Sequence, residues 1–190
     1  MIGREIVKDL SPRHEVIIAG HKSGDVRVDI TSADSIETLY KRVGRFDALV
    51  SAAGQAKGGN MESMTEEDYL IGLRDKLMGQ VNLVRLGMRY INDNGSFTLT
   101  SGSLANEPML GTSSFSMVNA ALNGFGKAVA LEMKRGIRIN VVSPPFATET
   151  LKVLGMDESI GIPAAKFAAA YRESVEGKHN GEIFDVRKYV

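Results

Sequence analysis

Apolar residues recur along this chain in two rhythms, one with the period of a strand and one with the period of a helix. From Gly95 to Ser101, GSFTLTS is a short β-branched and apolar run ending in hydroxyls, which predicts a buried strand that opens into a polar loop. From Ser113 to Met133 the only charges are Lys127 and Glu132, and Phe115, Met117, Val118, Leu122, Phe125, Val129 and Leu131 alternate with small residues. That pattern predicts a long helix, apolar on nearly its whole circumference, covered on one side by its own sheet and on another by a second subunit. IRINVVSPP then predicts another buried strand, stopped by two prolines that cannot continue a central ladder. Strand, helix and strand make a βαβ unit, and both strands deliver polar residues at their carboxyl ends, where open α/β sheets bind ligands.

The flanking segments repeat the alternation. Ile2, Ile6, Val7 and Leu10 share one face of a predicted helix that Ser11-Pro12 ends. EVIIAG at 15–20 is a buried strand closed by glycine; the turn His21-Lys22-Ser23-Gly24-Asp25 leads to the alternating strand VRVDI at 26–30. Thr31 to Val43 has a stripe of Ile36, Leu39, Tyr40 and Val43, with Ser and Asp as N-caps and Gly44 as the stop. FDALVSAAG is strand into loop, 54–64 is a glycine-rich loop, and Thr65 followed by Glu66-Glu67-Asp68 caps the next helix. Helical spacing continues from Leu70 to Ile91 with Gly72 as a break, and Asn92 to Gly95 is its exit turn. Beyond the second strand a loop runs through Gly161, a helix runs from Pro163 to about Val175, and GEIFDV is the last strand. Six strands alternating with helices predict an α/β fold: a doubly wound parallel sheet with helices on both faces, three layers in a single domain over residues 1–190.

Composition narrows the partners. A chain of 190 residues with 43% hydrophobic content suits one domain with a sizeable core. With 23 basic and 23 acidic residues, well mixed, no net field favours nucleic acid or an anionic membrane. The absence of cysteine removes disulfides and thiolate chemistry and suits a reducing cytoplasm. The charged start MIGREIVKDL is unlike a signal peptide, and the longest charge-free run is full of Ser, Thr, Asn and Gly, so a soluble protein is expected. His14, His21 and His179 are scattered without a metal-ligand partner at suitable spacing, and no GxSxG elbow or P-loop lysine motif occurs.

DITSADSI, DALVSAAG, GSFTLTSG, SMVNAALNGFGKAVALEM, GIRINVVSP and GEIFDV, in that order and spacing, resemble the short-chain dehydrogenase/reductase family over essentially the whole chain. The resemblance implies a Rossmann-like sheet binding NAD(H) or NADP(H), hydride transfer to or from a small carbonyl or alcohol substrate, and a homodimer or homotetramer built through the helices around 70–91 and 113–133. It also implies a catalytic tyrosine, a lysine four residues later, a serine about a helix earlier and an asparagine on the preceding long helix. Here those places hold Phe115, Asn119, Gly102 and Lys76. Phenylalanine has no proton to give and asparagine no charge with which to lower a neighbour's pKa.

Two readings of that site stand side by side. In one, Lys76 projects toward the vacancy and, with Ser101 or Ser103, polarises a substrate oxygen, since a buried lysine shifts its pKa enough for acid/base work. In the other, Lys76 is a solvated helix residue, the serines are ordinary strand-end hydroxyls, and the chain is a catalytically silent relative that binds dinucleotide, or only a protein partner, as a sensor or assembly subunit.

The resemblance assigns the cofactor pocket as well. Ile2-Gly3 aligns with the last part of the family's glycine-rich turn, Asp29-Ile30 would flank the adenine, Ala52-Ala53-Gly54 would pass beneath the ribose, Pro144 with Thr148 would border the nicotinamide, and Asn119 is counted among the cofactor-binding residues. The family's first strand and earlier glycines have no counterpart after Met1, which leads to the expectation that the full protein starts upstream, by on the order of ten residues for a strand of common length. A chain that starts at Met1 and binds dinucleotide poorly is the alternative. Gly20-His21-Lys22-Ser23 at the end of the second strand offers donors and a cation, which favours a 2′-phosphate and hence NADP, with NAD as the alternative; Asp25 stands close by, and the same residues equally suit a solvated polar turn.

Overall fold

The longest strand lies inside the larger sheet. In the computed structural model, which describes residues 1–190, β4 (Ile91–Thr100) is buried throughout its last six residues and runs between β3 (Phe46–Val50) and β5 (Arg138–Ser143). β6 (Ile183–Asp185) completes the order β3-β4-β5-β6, and every pairing is parallel. Phe97 pairs with Ile139 and Leu99 with Val141, so FTLTS and RINVV run side by side in the same direction.

Seven α-helices cover the strands: α1 (Ile2–Leu10), α2 (Ala33–Val43), α3 (Glu66–Gly72), α4 (Met78–Gly87), α5 (Ser113–Ala130), α6 (Thr148–Leu154) and α7 (Ala168–Glu176). Alternate residues of β5 divide the core. Val142 packs with Ile6, Leu10, Phe167 and Tyr171 from α1, α7 and its preceding turn, whereas Ile139 and Val141 pack with Val84 and Leu122 from α4 and α5. Helices therefore lie on both faces of a parallel, Rossmann-like sheet, as the alternation of segments predicts.

The sheet is not one piece. β1 (Ala19–Gly20) and β2 (Val26–Arg27) pair only with each other, and no ladder joins β1 to β3. Ile17 and Ile18 are 47% and 42% exposed, and Asp47 and Ala48 are exposed on β3, so two strand edges stand open. The strands predicted over 15–20 and 26–30 are accordingly reduced to two residues each, because each has a ladder on one side only.

Other boundaries also need correction. Asn92 to Gly95 is not a turn before β4 but lies within its span, as an irregularity in the pairing. The register passes from Phe46↔Ile91 to Ala48↔Ser96, and Asn94 takes a φ of 63° to absorb the extra residues. The helix predicted from Leu70 to Ile91 ends at Gly87 and is broken by one π-helical turn, Leu73–Leu77, immediately after Gly72. The stretch 146–161, read as loop, contains α6 and a short 3-10 turn, Glu158–Ile160. The helix from Pro163 begins as a 3-10 turn over Ala164–Phe167 before α7.

Candidate functional site

A cleft of about 230 Å³ opens where β3, β4 and β5 end. Ala52, Ala53 and Gly54 form one wall, Thr100 to Leu104 the floor, Pro144 to Phe146 the opposite wall, with Ile2, Lys76, Phe115 and Asn119 reaching in from three helical segments. A second hollow, about 360 Å³, adjoins it through Ser103, Leu104, Pro145 and Phe146, and is lined further by Met109, Ile160, Ile162 and Arg187. The guanidinium there carries no free charge toward the hollow, because Arg187 is bonded to both Glu107 oxygens at 2.9 and 2.8 Å and to Asp185 at 2.7 Å.

Lys76 belongs to the π-helical turn, the kind of helical irregularity that re-aims side chains at functional sites. Its Nζ donates to the backbone oxygen of Ser101 at 2.9 Å, and protein surrounds most of the ammonium. Loss of water contact pushes its pKa down to about 8. Gly54 stands directly behind it. The backbone at Gly54 has φ of +122°, and a Cβ there would lie 2.7 Å from the Lys76 Cα. Gln80, one helical turn on, donates through Nε2 to the Lys76 carbonyl at 3.2 Å.

The serines fill different places. Ser101 meets Lys76 through its carbonyl, while its Oγ is buried without a partner. Ser103 opens a 3-10 turn, receives its backbone support from the Pro144 oxygen at 2.9 Å, and borders both hollows. Asn119 is 2% exposed and its Oδ1 is likewise buried without a donor. The Phe115 ring lies against the glycine-rich loop: a Cβ at Gly58 would come within 2.9 Å of its Cε2.

Of the residues singled out from sequence, Ile2, Ala52, Ala53, Gly54, Lys76, Ser101, Ser103, Asn119 and Pro144 all line the cleft. Gly3, Gly20, His21, Lys22, Ser23, Asp29, Ile30 and Thr148 lie outside it. His21, Lys22 and Ser23 form an exposed turn after β1. Asp29 accepts from the hydroxyl and amide of Thr31, at 2.7 and 2.9 Å, and these bonds hold its carboxyl below the ordinary range. Ile30 packs where a Cβ on Gly79 would sit, and Thr148 opens α6 with its N–H on the Ile162 oxygen at 3.1 Å. Gln80 and Phe146 escaped the sequence reading. A fully buried amide in an apolar helical stripe was the signal available for Gln80; Phe146 carried none.

Residues 4–190 match the family model described as enoyl-(acyl carrier protein) reductase. The chain belongs to the short-chain dehydrogenase/reductase family. Among its relatives, the human 3-oxoacyl-[acyl-carrier-protein] reductase is 31% identical over 164 residues, which span 83% of this chain and 67% of that protein. A crystal structure of a protein from Listeria innocua superimposes with a TM-score of 0.93 at 44% identity, covering 97% of this chain and 93% of that one. A small-chain dehydrogenase crystallised with NADPH superimposes at 0.84 with 26% identity, covering 97% and 90%. In this short-chain dehydrogenase/reductase the cleft lies at the carboxyl ends of the parallel strands, and its walls carry Phe115, Asn119, Gly102 and Lys76. No helix is long and apolar enough to cross a membrane.

Proposed function

We propose that this protein is an NADP(H)-dependent oxidoreductase that transfers hydride to or from a small carbonyl or alcohol carbon, with Lys76 as its acid/base group. The observation that carries the reading is the Lys76 ammonium, held in the cleft against Ser101 by a 2.9 Å bond. A group whose pKa sits near the working pH is suited to moving a proton.

The cleft suits a hydroxyl-rich ligand. Ser101 Oγ and Asn119 Oδ1 are unpartnered polar atoms in residues that line it, and each such atom costs about 1–3 kcal/mol when left without a hydrogen bond. Ala52 to Gly54, which line the cleft, would pass beneath the ribose, Pro144 would border the nicotinamide, and Ile2 and Gly3 at the start of α1 would hold the phosphates. Gly3 has open space where a Cβ would stand. Asp29 and Ile30 would flank the adenine, Thr148 would border the nicotinamide, and Gly20 with His21, Lys22 and Ser23 would offer a cation and donors to a 2′-phosphate. The NADPH-bound relative supports that cofactor choice. NAD is the lesser partner in this reading.

When bound, the dinucleotide supplies the hydride. In the reducing direction Lys76 gives a proton to the oxygen of the carbonyl as its carbon is reduced, and Ser101 and Ser103 hold that oxygen; the lysine regains its proton from water. In the oxidising direction the neutral amine takes the proton. In this reading the protein self-associates through the helices around 70–91 and 113–133, a reading supported by the exposure of Ile71, Met78 and Met117. The test is NADPH binding followed by turnover of a carbonyl panel. NADPH binding together with turnover, with only the turnover lost in Lys76→Ala, supports the reading; binding without turnover of any carbonyl supports the silent sensor instead.

A further inference from the structure

The exchange of serine for Gly102 and of lysine for Asn119 is one event in space. A Cβ on Gly102 would lie 2.8 Å from Asn119 Nδ2, against 3.6 Å from Oδ1, so the amide nitrogen occupies the room that a side chain at 102 would need. The backbone does not demand glycine there: Gly102 has φ of 162°, extended geometry that any residue adopts. What excludes a side chain is the amide. Asn119 stands at the end of the second turn of α5, is 2% exposed, and lines the same cleft as Lys76. Its Oδ1 is buried without a donor, and Nδ2 is the amide atom nearer to Gly102.

We infer that Asn119 is a further hydrogen-bond donor to the substrate oxygen, beside Ser101 and Ser103, and that Gly102 is the space that lets it reach. The inference rests on the carbonyl-reducing reading above. As hydride arrives at the carbonyl carbon, negative charge grows on oxygen; a fixed amide N–H aimed at that point stabilises the charge without transferring its proton, which comes from Lys76. A neutral amide also leaves the Lys76 ammonium unopposed by a second cation, which a lysine at 119 would be.

Three variants test this: Asn119→Asp, which keeps the shape and removes the donor; Gly102→Ser; and Gly102→Ser combined with Asn119→Ala. Turnover, NADPH affinity and melting temperature are read for each. Asn119→Asp lowers kcat on the order of a hundredfold with NADPH affinity kept within about threefold. Gly102→Ser lowers both kcat and melting temperature by collision with the amide, and adding Asn119→Ala restores the melting temperature and part of kcat, because the two sites share one space. Unchanged kcat in Asn119→Asp, a loss confined to NADPH affinity, or a Gly102→Ser enzyme faster than wild type each overturns the assignment while leaving the oxidoreductase reading intact. A Gly102→Ser protein that melts like wild type overturns the packing argument without reference to activity. A wild type that binds NADPH and reduces no carbonyl overturns both.

Discussion

Gln80 and Thr100 are joined twice. The Thr100 N–H donates to Gln80 Oε1 at 2.9 Å, and Gln80 Nε2 donates to the Thr100 oxygen at 2.9 Å, so a helix side chain pairs with the strand as a neighbouring strand would. Beyond Val50 the β3 ladder has run out, and this amide takes over at the point where β4 delivers Ser101 to the cleft. Since Gln80 also holds the Lys76 carbonyl, it ties the two candidate groups to one frame. Gln80→Leu strands two buried backbone groups and is expected to cost about 3 kcal/mol in urea denaturation.

Gly54 and Lys76 are similarly close. A Cβ at Gly54 would overlap the Lys76 backbone at 2.7 Å, and φ of +122° already disfavours any side chain there. Gly54→Ala is expected to destabilise by about 1–3 kcal/mol in thermal or chemical denaturation and to lower kcat by displacing the lysine.

Lys76 also gives stability a pH dependence. Burial lowers its pKa from 10.5 to about 8, so between those values the unfolded chain binds more protons than the folded one. By linkage, its contribution to stability rises as pH increases from 8 to 10.5, the reverse of a paired lysine. Denaturation of wild type and Lys76→Met across that window is expected to show a rise in the wild type that the variant lacks.

The exposed turn after β1 is the proposed place of discrimination between the dinucleotides. Lys22 carries the only cation of the GHKS run besides a protonatable His21, so Lys22→Glu is expected to weaken NADPH binding roughly 10- to 100-fold while leaving NADH binding within about threefold. Fluorescence titration with both nucleotides checks this. A wild type that binds NADH more tightly than NADPH contradicts the assignment.

Much of the fold is legible in the pattern of residues. FTLTS and RINVV are β-branched, mostly buried runs separated by a helical period, so the parallel pairing of β4 with β5 follows from local rules. The open edges at β1 and β3 truncate strands whose sequence alone reads longer, because strand length depends on neighbours that local pattern does not contain. α6 was missed because TETLKVL follows two prolines and leaves Val153 and Leu154 exposed, which weakens its helical stripe. At the site, motif spacing brings Lys76, Ser101 and Asn119 together. It could not show that Lys76 reaches the carbonyl of Ser101 rather than its hydroxyl, nor that Gly102 and Asn119 compete for one volume, since both are contacts between distant elements.

The most direct test is the pH dependence of kcat/KM for NADPH-driven carbonyl reduction, in wild type and in Lys76→Met. If Lys76 has taken over the proton-donating role, the wild-type profile falls as pH rises through a value near 8, and the variant is slower by about 10²-fold or more and has lost that transition. A Lys76→Met enzyme with the same rate and the same profile would show that the proton comes from elsewhere.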